Sequence, residues 1–175
     1  MKPMIRKTFA MLTGLAAAGS LLVGIAACSP VAAGGTAASA SASASEPQVH
    51  PLSGLAVIPL RVVTATGEHR FRVEVAASSA QQEKGLMFRN AMGADEGMIF
   101  PMIPARPAAF WMRNTVIGLD IIFIGADHKV LNIAANAVPY DETALPSKGD
   151  AAAVLELNAG RAAQIGMKPG DTVSW

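Results

Sequence analysis

Residues 110–123 read FWMRNTVIGLDIIF, and the chain continues through IGADHKV to LNIAA at 131–135. Two apolar runs, Ile121–Ile124 and Val130–Ile133, flank Gly125-Ala126-Asp127-His128, which is the pattern of two strands joined by a hairpin turn. Just upstream, an extended chain would place Phe110 and Met112 on one face and Trp111 and Arg113 on the other. The stretch therefore argues for a β-rich domain. It also raises a question of chemistry. Only 15% of the chain is charged, yet Arg113, Asn114 and Asp120 interrupt its most hydrophobic segment.

A carboxylate that opens an apolar strand needs a partner. In one reading Asp120 is a clamp that binds amides of the 113–118 turn, or pairs with Arg113 or Arg89. In the other, Trp111 is the platform of a small polar pocket. Arg89, Arg113 and Asn114 would then be its donors, with Asp120 and Glu156 its acceptors. An indole with convergent polar groups suits a sugar or a carboxylate-bearing envelope fragment. Asn114-Thr115 is turn chemistry, with the amide expected to bond nearby backbone.

Working outward, Val57–Thr64 is rich in β-branched residues, and His69–Val75 alternates Phe71, Val73 and Val75 with Arg70, Arg72 and Glu74. Ser78 and Ser79 stand three residues before Gln81 and Gln82, a capping-box pattern that predicts a helix from about Ala80 to Phe88. Gly85 weakens its last turn. Further strands are predicted at Gly97–Pro101, Ala108–Arg113, Val154–Leu157 and Thr172–Trp175. Residues 140–150, YDETALPSKGD, read as a polar loop, and Ala159–Ile165 as a short helix stopped by Gly166. The expected class is α+β, mainly β: about seven short strands and two short helices in a small curled sheet or barrel.

The N-terminus carries a different message. Lys2, Arg6 and Lys7 precede an apolar run from Phe9 to Ala27, which ends at Ile25-Ala26-Ala27-Cys28. A basic start, a short apolar core and small residues before the cut mark a secretory signal. Cys28, the single cysteine, stands where a bacterial lipobox needs it, so residues 1–27 are expected to be removed and Cys28 lipidated. The partner implied is a membrane, and the place an exported, membrane-anchored lipoprotein facing the periplasm. Ser29 after the cysteine points to the outer membrane if the cell is Gram-negative. Residues 28–54, rich in Ala, Ser, Gly and Pro, read as a disordered tether with a reach of about 30 Å. Residues 55–175 then form one globular domain.

Removal of Lys2, Arg6 and Lys7 leaves 11 basic against 13 acidic residues, a net charge of −2. No basic stripe remains to follow phosphates, which argues against nucleic acid as a partner. A glycine-rich phosphate loop, an HExxH pair and a GxSxG elbow are all missing. His50 lies in the tether, while His69 and His128 sit beside turns, so no histidine metal site and no cofactor is expected. Met87, Met92, Met98, Met102 and Met112 are soft ligands, and a Met87/Met98/Met112 cluster would suit Cu(I). Packing beside Phe88, Phe100, Phe110 and Trp111 accounts for them as well.

Six fragments occur in order: QQEKGLMFR at 81–89, GMIF at 97–100, FWMRNTVIGLDIIFI at 110–124, AVP at 137–139, LELNAG at 155–160 and GD at 170–171. Together they closely resemble the domain-of-unknown-function 192 family of small secreted or membrane-attached bacterial and archaeal proteins. Arg113 stands where lysine is more usual, and Gly118 where proline commonly precedes Leu-Asp. The resemblance implies a compact β-rich fold and no particular activity. Two classes of function follow from the residues. One is a non-enzymatic binding module for a small polar envelope ligand or partner protein. The other is an envelope hydrolase or transferase that uses Asp120 or Glu156 as acid or base, which requires both carboxyls in one cleft.

Overall fold

The apolar segments pair into one eight-stranded mixed sheet in the computed structural model, which describes residues 48–175. In chain order the elements are β1 (Gln48–Val49), β2 (Ala56–Thr64), β3 (Gly67–Val75), α1 (Ser79–Lys84), β4 (Glu96–Phe110), β5 (Leu119–Ile124), β6 (Val130–Ala137), β7 (Leu145–Asn158), α2 (Arg161–Gln164) and β8 (Thr172–Ser174). Spatially the strands run β1-β2-β3-β4-β7-β5-β6, and β8 pairs with β2 farther along the edge that β1 occupies. The parallel pair β3–β4 needs a long crossover, and residues 76–95 supply it with α1 inside.

The sheet is mainly β as expected, but it is not a closed barrel. Its ladder stops at β6, and the approach to β8 rests on a single bridge, Lys129 to Thr172. Backbone bonds from Val130 N to Asp171 O (2.9 Å) and Val173 N to His128 O (2.9 Å) hold these two ends near each other. The result is a curled, open sheet.

Apolar side chains cover both faces of the central strands. Antiparallel partners share a face, so Ile99, Leu155 and Ile122 enter one core with Leu60, Phe71 and Val173. Phe100, Val154 and Phe123 enter a second core with Leu86, Met98 and Met112. Every residue of β5 is consequently buried.

Three expectations are corrected. The Ser78 hydroxyl does accept from Gln81 N (3.3 Å) and the Gln81 side chain from Ser78 N (2.8 Å), but α1 ends at Lys84 rather than Phe88. Gly85 leaves the helical region at φ 46° and terminates it. The strands predicted at 97–101 and 108–113 are one 15-residue strand, β4, which ends at Phe110. Its prolines cannot donate to a ladder, and register shifts between Pro101 and Arg106 and between Pro107 and Ala109 absorb them. The third correction follows from the second. Because β4 runs on as an extended arm, residues 145–150 pair with it as the start of β7, and only the first half of the polar loop remains.

The signal segment, Cys28 and residues 28–47 of the tether lie outside the described residues. The last part of the tether is not a free chain. Gln48–Val49 pairs with β2, and His50 N bonds Leu55 O (2.8 Å) while Gly54 N bonds His50 O (2.8 Å), so the ordered domain begins at least seven residues before position 55.

Candidate functional site

A cleft of about 700 Å³ opens between α1 with its following turn and the outer half of β4. Leu86, Met87, Phe100, Met102 and Phe110 give it apolar walls, and Lys84, Arg106 and Arg113 stand among its lining groups. Trp111 lines it too and remains 49% exposed. β4 has ended by then, but the alternation persists: Met112 is buried and Arg113 exposed. The Arg113 guanidinium stacks 4.8 Å from the Trp111 ring centroid and donates to Glu142 Oε2 at 2.8 Å. This places a rigid indole and a fixed cation side by side at the mouth.

Glu156 forms the floor. It is only 5% exposed, and no group among the described residues bonds its Oε2. Burial without a partner disfavours the charged form, and the carboxyl is pushed up to about 8. Burial therefore favours the protonated carboxyl near neutrality. An unsatisfied buried polar atom calls for an explanation, and a ligand that supplies the missing acceptor is one.

Asp120 is equally buried but its surroundings are the opposite. Its Oδ1 accepts from Asn136 N (2.8 Å) and Gly160 N (3.1 Å), and its Oδ2 from Ala162 N (2.8 Å). The clamp forms, though not to the 113–118 turn, nor to Arg113 or Arg89. It ties β5 to the end of β6 and to the entry of α2. Gly118, two residues upstream, accepts from Ala159 N at 3.0 Å. A Cβ there would lie 3.1 Å from Ala159 Cβ, so this glycine serves the close approach of the same two segments.

Asp120 and Glu156 do not share a cleft. Asp120 faces Leu157 across the β5–β7 ladder and Ile121 faces Glu156, so the two carboxyls project from opposite faces of the sheet. A paired-carboxylate reaction has no geometry here. Arg89 is also removed from the expected donor set. Its guanidinium forks onto the buried Glu74, with Nη1 to Oε1 at 2.8 Å and Nη2 to Oε2 at 3.0 Å. His50 Nε2 lies 3.6 Å from the same carboxylate and the Ser53 hydroxyl donates to it. His50, expected to be solvated, thus helps dock the N-terminal segment.

Asn114 sits on the cleft wall at φ 52°, its amide directed at Met87 Sδ (3.8 Å) rather than at backbone. Met98, Met102 and Met112 are buried in one core with Phe100 and Phe123, while Met87 faces the cleft. Core packing accounts for the three, and nothing in their placement calls for copper. Among the described residues no three His, Cys, Asp or Glu side chains converge as a metal site would require. Of the six residues singled out from the sequence, the cleft gathers Trp111, Arg113, Asn114 and Glu156, and leaves out Arg89 and Asp120.

The chain is thus a curled, mainly β domain with a mixed polar and apolar cleft beside its crossover helix. The sequence matches the model of DUF192, described as an uncharacterized ACR, over residues 61–175, and the chain belongs to that family. A crystal structure of a protein of unknown function from Novosphingobium aromaticivorans DSM 12444 is similar, at 60% identity and a TM-score of 0.73, covering 75% of this chain and 94% of that one. A second, from Sinorhizobium meliloti 1021 and provisionally described as a transcription regulator, shares 41% identity at a TM-score of 0.67, covering 69% and 94%. No curated protein matches.

Proposed function

We propose that this protein is an envelope lipoprotein, anchored through Cys28, whose β-rich domain binds a small polar ligand in the Trp111–Glu156 cleft without transforming it. The observation that carries the reading is the Glu156 carboxyl at the cleft floor, buried and unpartnered. A ligand hydroxyl, carbonyl or carboxylate oxygen accepts a hydrogen bond from it, the indole supports the apolar face of the ligand, and Arg113 and Asn114 bond its outer edge. The lipobox-like Ile25-Ala26-Ala27-Cys28 supports the anchor, and the Ala/Ser-rich segment behind it gives the domain reach into the periplasm. The charge of −2 expected after signal removal weighs against nucleic acid as the partner.

Thermal shift of the full chain carrying Cys28→Ser tests the cleft, with N-acetylglucosamine and N-acetylmuramic acid as probes. One of these sugars raises the melting temperature, and Trp111→Ala and Glu156→Gln each abolish the rise. Absence of any shift at millimolar sugar overturns the reading. For the anchor, Cys28→Ser eliminates palmitate label and releases the protein from membranes or leaves it held by an uncut signal. Normal label in that variant contradicts the lipoprotein assignment.

A further inference from the structure

Three aromatic or apolar loops meet outside the cleft mouth, and neither the core nor the cleft uses their outer surfaces. Phe88 is 68% exposed, Tyr140 61% and Val138 63%, beside the half-exposed Trp111. They are neighbours because the 112–115 turn binds both flanking loops. Phe88 N donates to Asn114 O at 2.9 Å, Tyr140 N to Thr115 O at 3.3 Å, and Met112 N to Asp141 O at 2.8 Å.

The backbone holds these rings outward at a cost. Phe88 lies at φ 61° and Tyr140 at φ 63°, the left-handed region, with Asn114 between them at φ 52°. Bulky non-glycine residues seldom adopt it. Such strain persists only where surrounding structure imposes it, and it clusters at ligand clamps. Here three adjacent loops share it, and two of them use it to present a ring that solvent would rather see covered.

We propose that the cleft is one end of a longer site for a neutral oligosaccharide, whose further sugar units stack on Trp111, Phe88 and Tyr140. The proposal rests on the cleft reading above and adds to it the class and length of the ligand. The C–H faces of pyranose rings match flat aromatic surfaces, while their hydroxyls need both donors and acceptors close by. The rim provides both: Arg113 and Glu142 are locked together at 2.8 Å, and Asp141 Oδ1 accepts from Thr143 N at 2.8 Å. Across the cleft and rim together, Lys84, Arg106 and Arg113 are matched in number by Glu83, Asp141 and Glu142, so the site offers no net charge to a polyanion or polycation. A neutral chain of hydroxyls is what remains complementary. At the inner end Glu156 lines the cleft, and its Oε2 has no partner among the described residues.

Calorimetric titration of the full chain carrying Cys28→Ser tests this with chitohexaose, cellohexaose and maltohexaose, each against its monosaccharide. At least one hexasaccharide binds about tenfold or more tightly than its monosaccharide. Phe88→Asn and Tyr140→Asn remove the rings while keeping a residue that tolerates positive φ. Each weakens the hexasaccharide about fivefold and leaves the monosaccharide within about twofold. Hexasaccharides that bind no better than a bound monosaccharide overturn the longer site and leave the cleft reading standing. Failure of every saccharide of either length overturns both. Vesicles of phosphatidylethanolamine and phosphatidylglycerol are the control surface. If they bind in a manner that depends on Phe88 and Tyr140 while the hexasaccharides do not, the patch belongs to the membrane and the proposal falls.

Discussion

Asp120 and Glu156 are neighbours across the same ladder, each almost wholly buried, yet they lie in opposite chemical worlds. Asp120 collects three backbone amides from two remote segments, whereas no group among the described residues bonds Glu156 Oε2. One strand step turns the first toward the α2 side of the sheet and the second toward the cleft. Burial alone therefore says little about role. A buried carboxylate with its acceptor sites filled is a structural joint, and one left unfilled beside an open cleft is a binding group in waiting.

The contrast can be broken by substitution. Replacing Asp120 with Ala leaves three backbone amides without their acceptor, that of Ala162 buried, and should cost about 3–5 kcal/mol, read as a lower urea midpoint. A cost below about 1 kcal/mol would mean that water satisfies those amides and that the joint is not one.

The second effect concerns Glu156 and pH. Its folded value, about 8, lies above the ordinary 4.5. Below pH 4.5 both folded and unfolded chains hold the proton, and the native state suffers no penalty from this group. Between about 4.5 and 8 the unfolded chain releases a proton that the native cleft keeps. Stability then falls as pH rises, by up to about 1.4 kcal/mol per unit, and levels off above 8. Glu156→Gln should remove that slope and be more stable than the parent at pH 8. A slope unchanged in the variant would assign the pH dependence to other groups.

The smallest effects belong to the cleft mouth. Trp111→Ala and Arg113→Ala should each lower stability by no more than about 1 kcal/mol, since they share a stacked pair at the surface and one exposed ion pair. A larger loss on removing the indole would make it a core residue and deprive the cleft of its platform.

The hairpin at 121–133, the capping box at Ser78 and the outward side of Trp111 and Arg113 were legible because short-range periodicity and turn chemistry determine them. Asp120 could be recognised as a clamp from its apolar setting, but its partners could not. They lie 16 to 42 residues away, and only the assembled sheet brings them close. Arg89 looked like a free donor for the same reason, because Glu74 reaches it through the β3–β4 crossover. The strand at 145–150 was hidden by its polar composition, which reflects an exposed arm paired with β4 rather than a loop. Phe88 and Tyr140 went unread as candidates, since a left-handed backbone at an aromatic residue leaves no mark in composition or spacing.

The proton of Glu156 decides the role of the cleft. Titration of the full chain by carboxyl carbon-13 NMR, with Glu156 assigned by comparison with Glu156→Gln, measures it directly. A midpoint near 8 is the expected result, and it would mark a carboxyl held dry and unpartnered at the floor of the cleft. A midpoint near the ordinary 4.5 would mean that water or a neighbouring group already satisfies Glu156, and the binding role assigned to it would be contradicted.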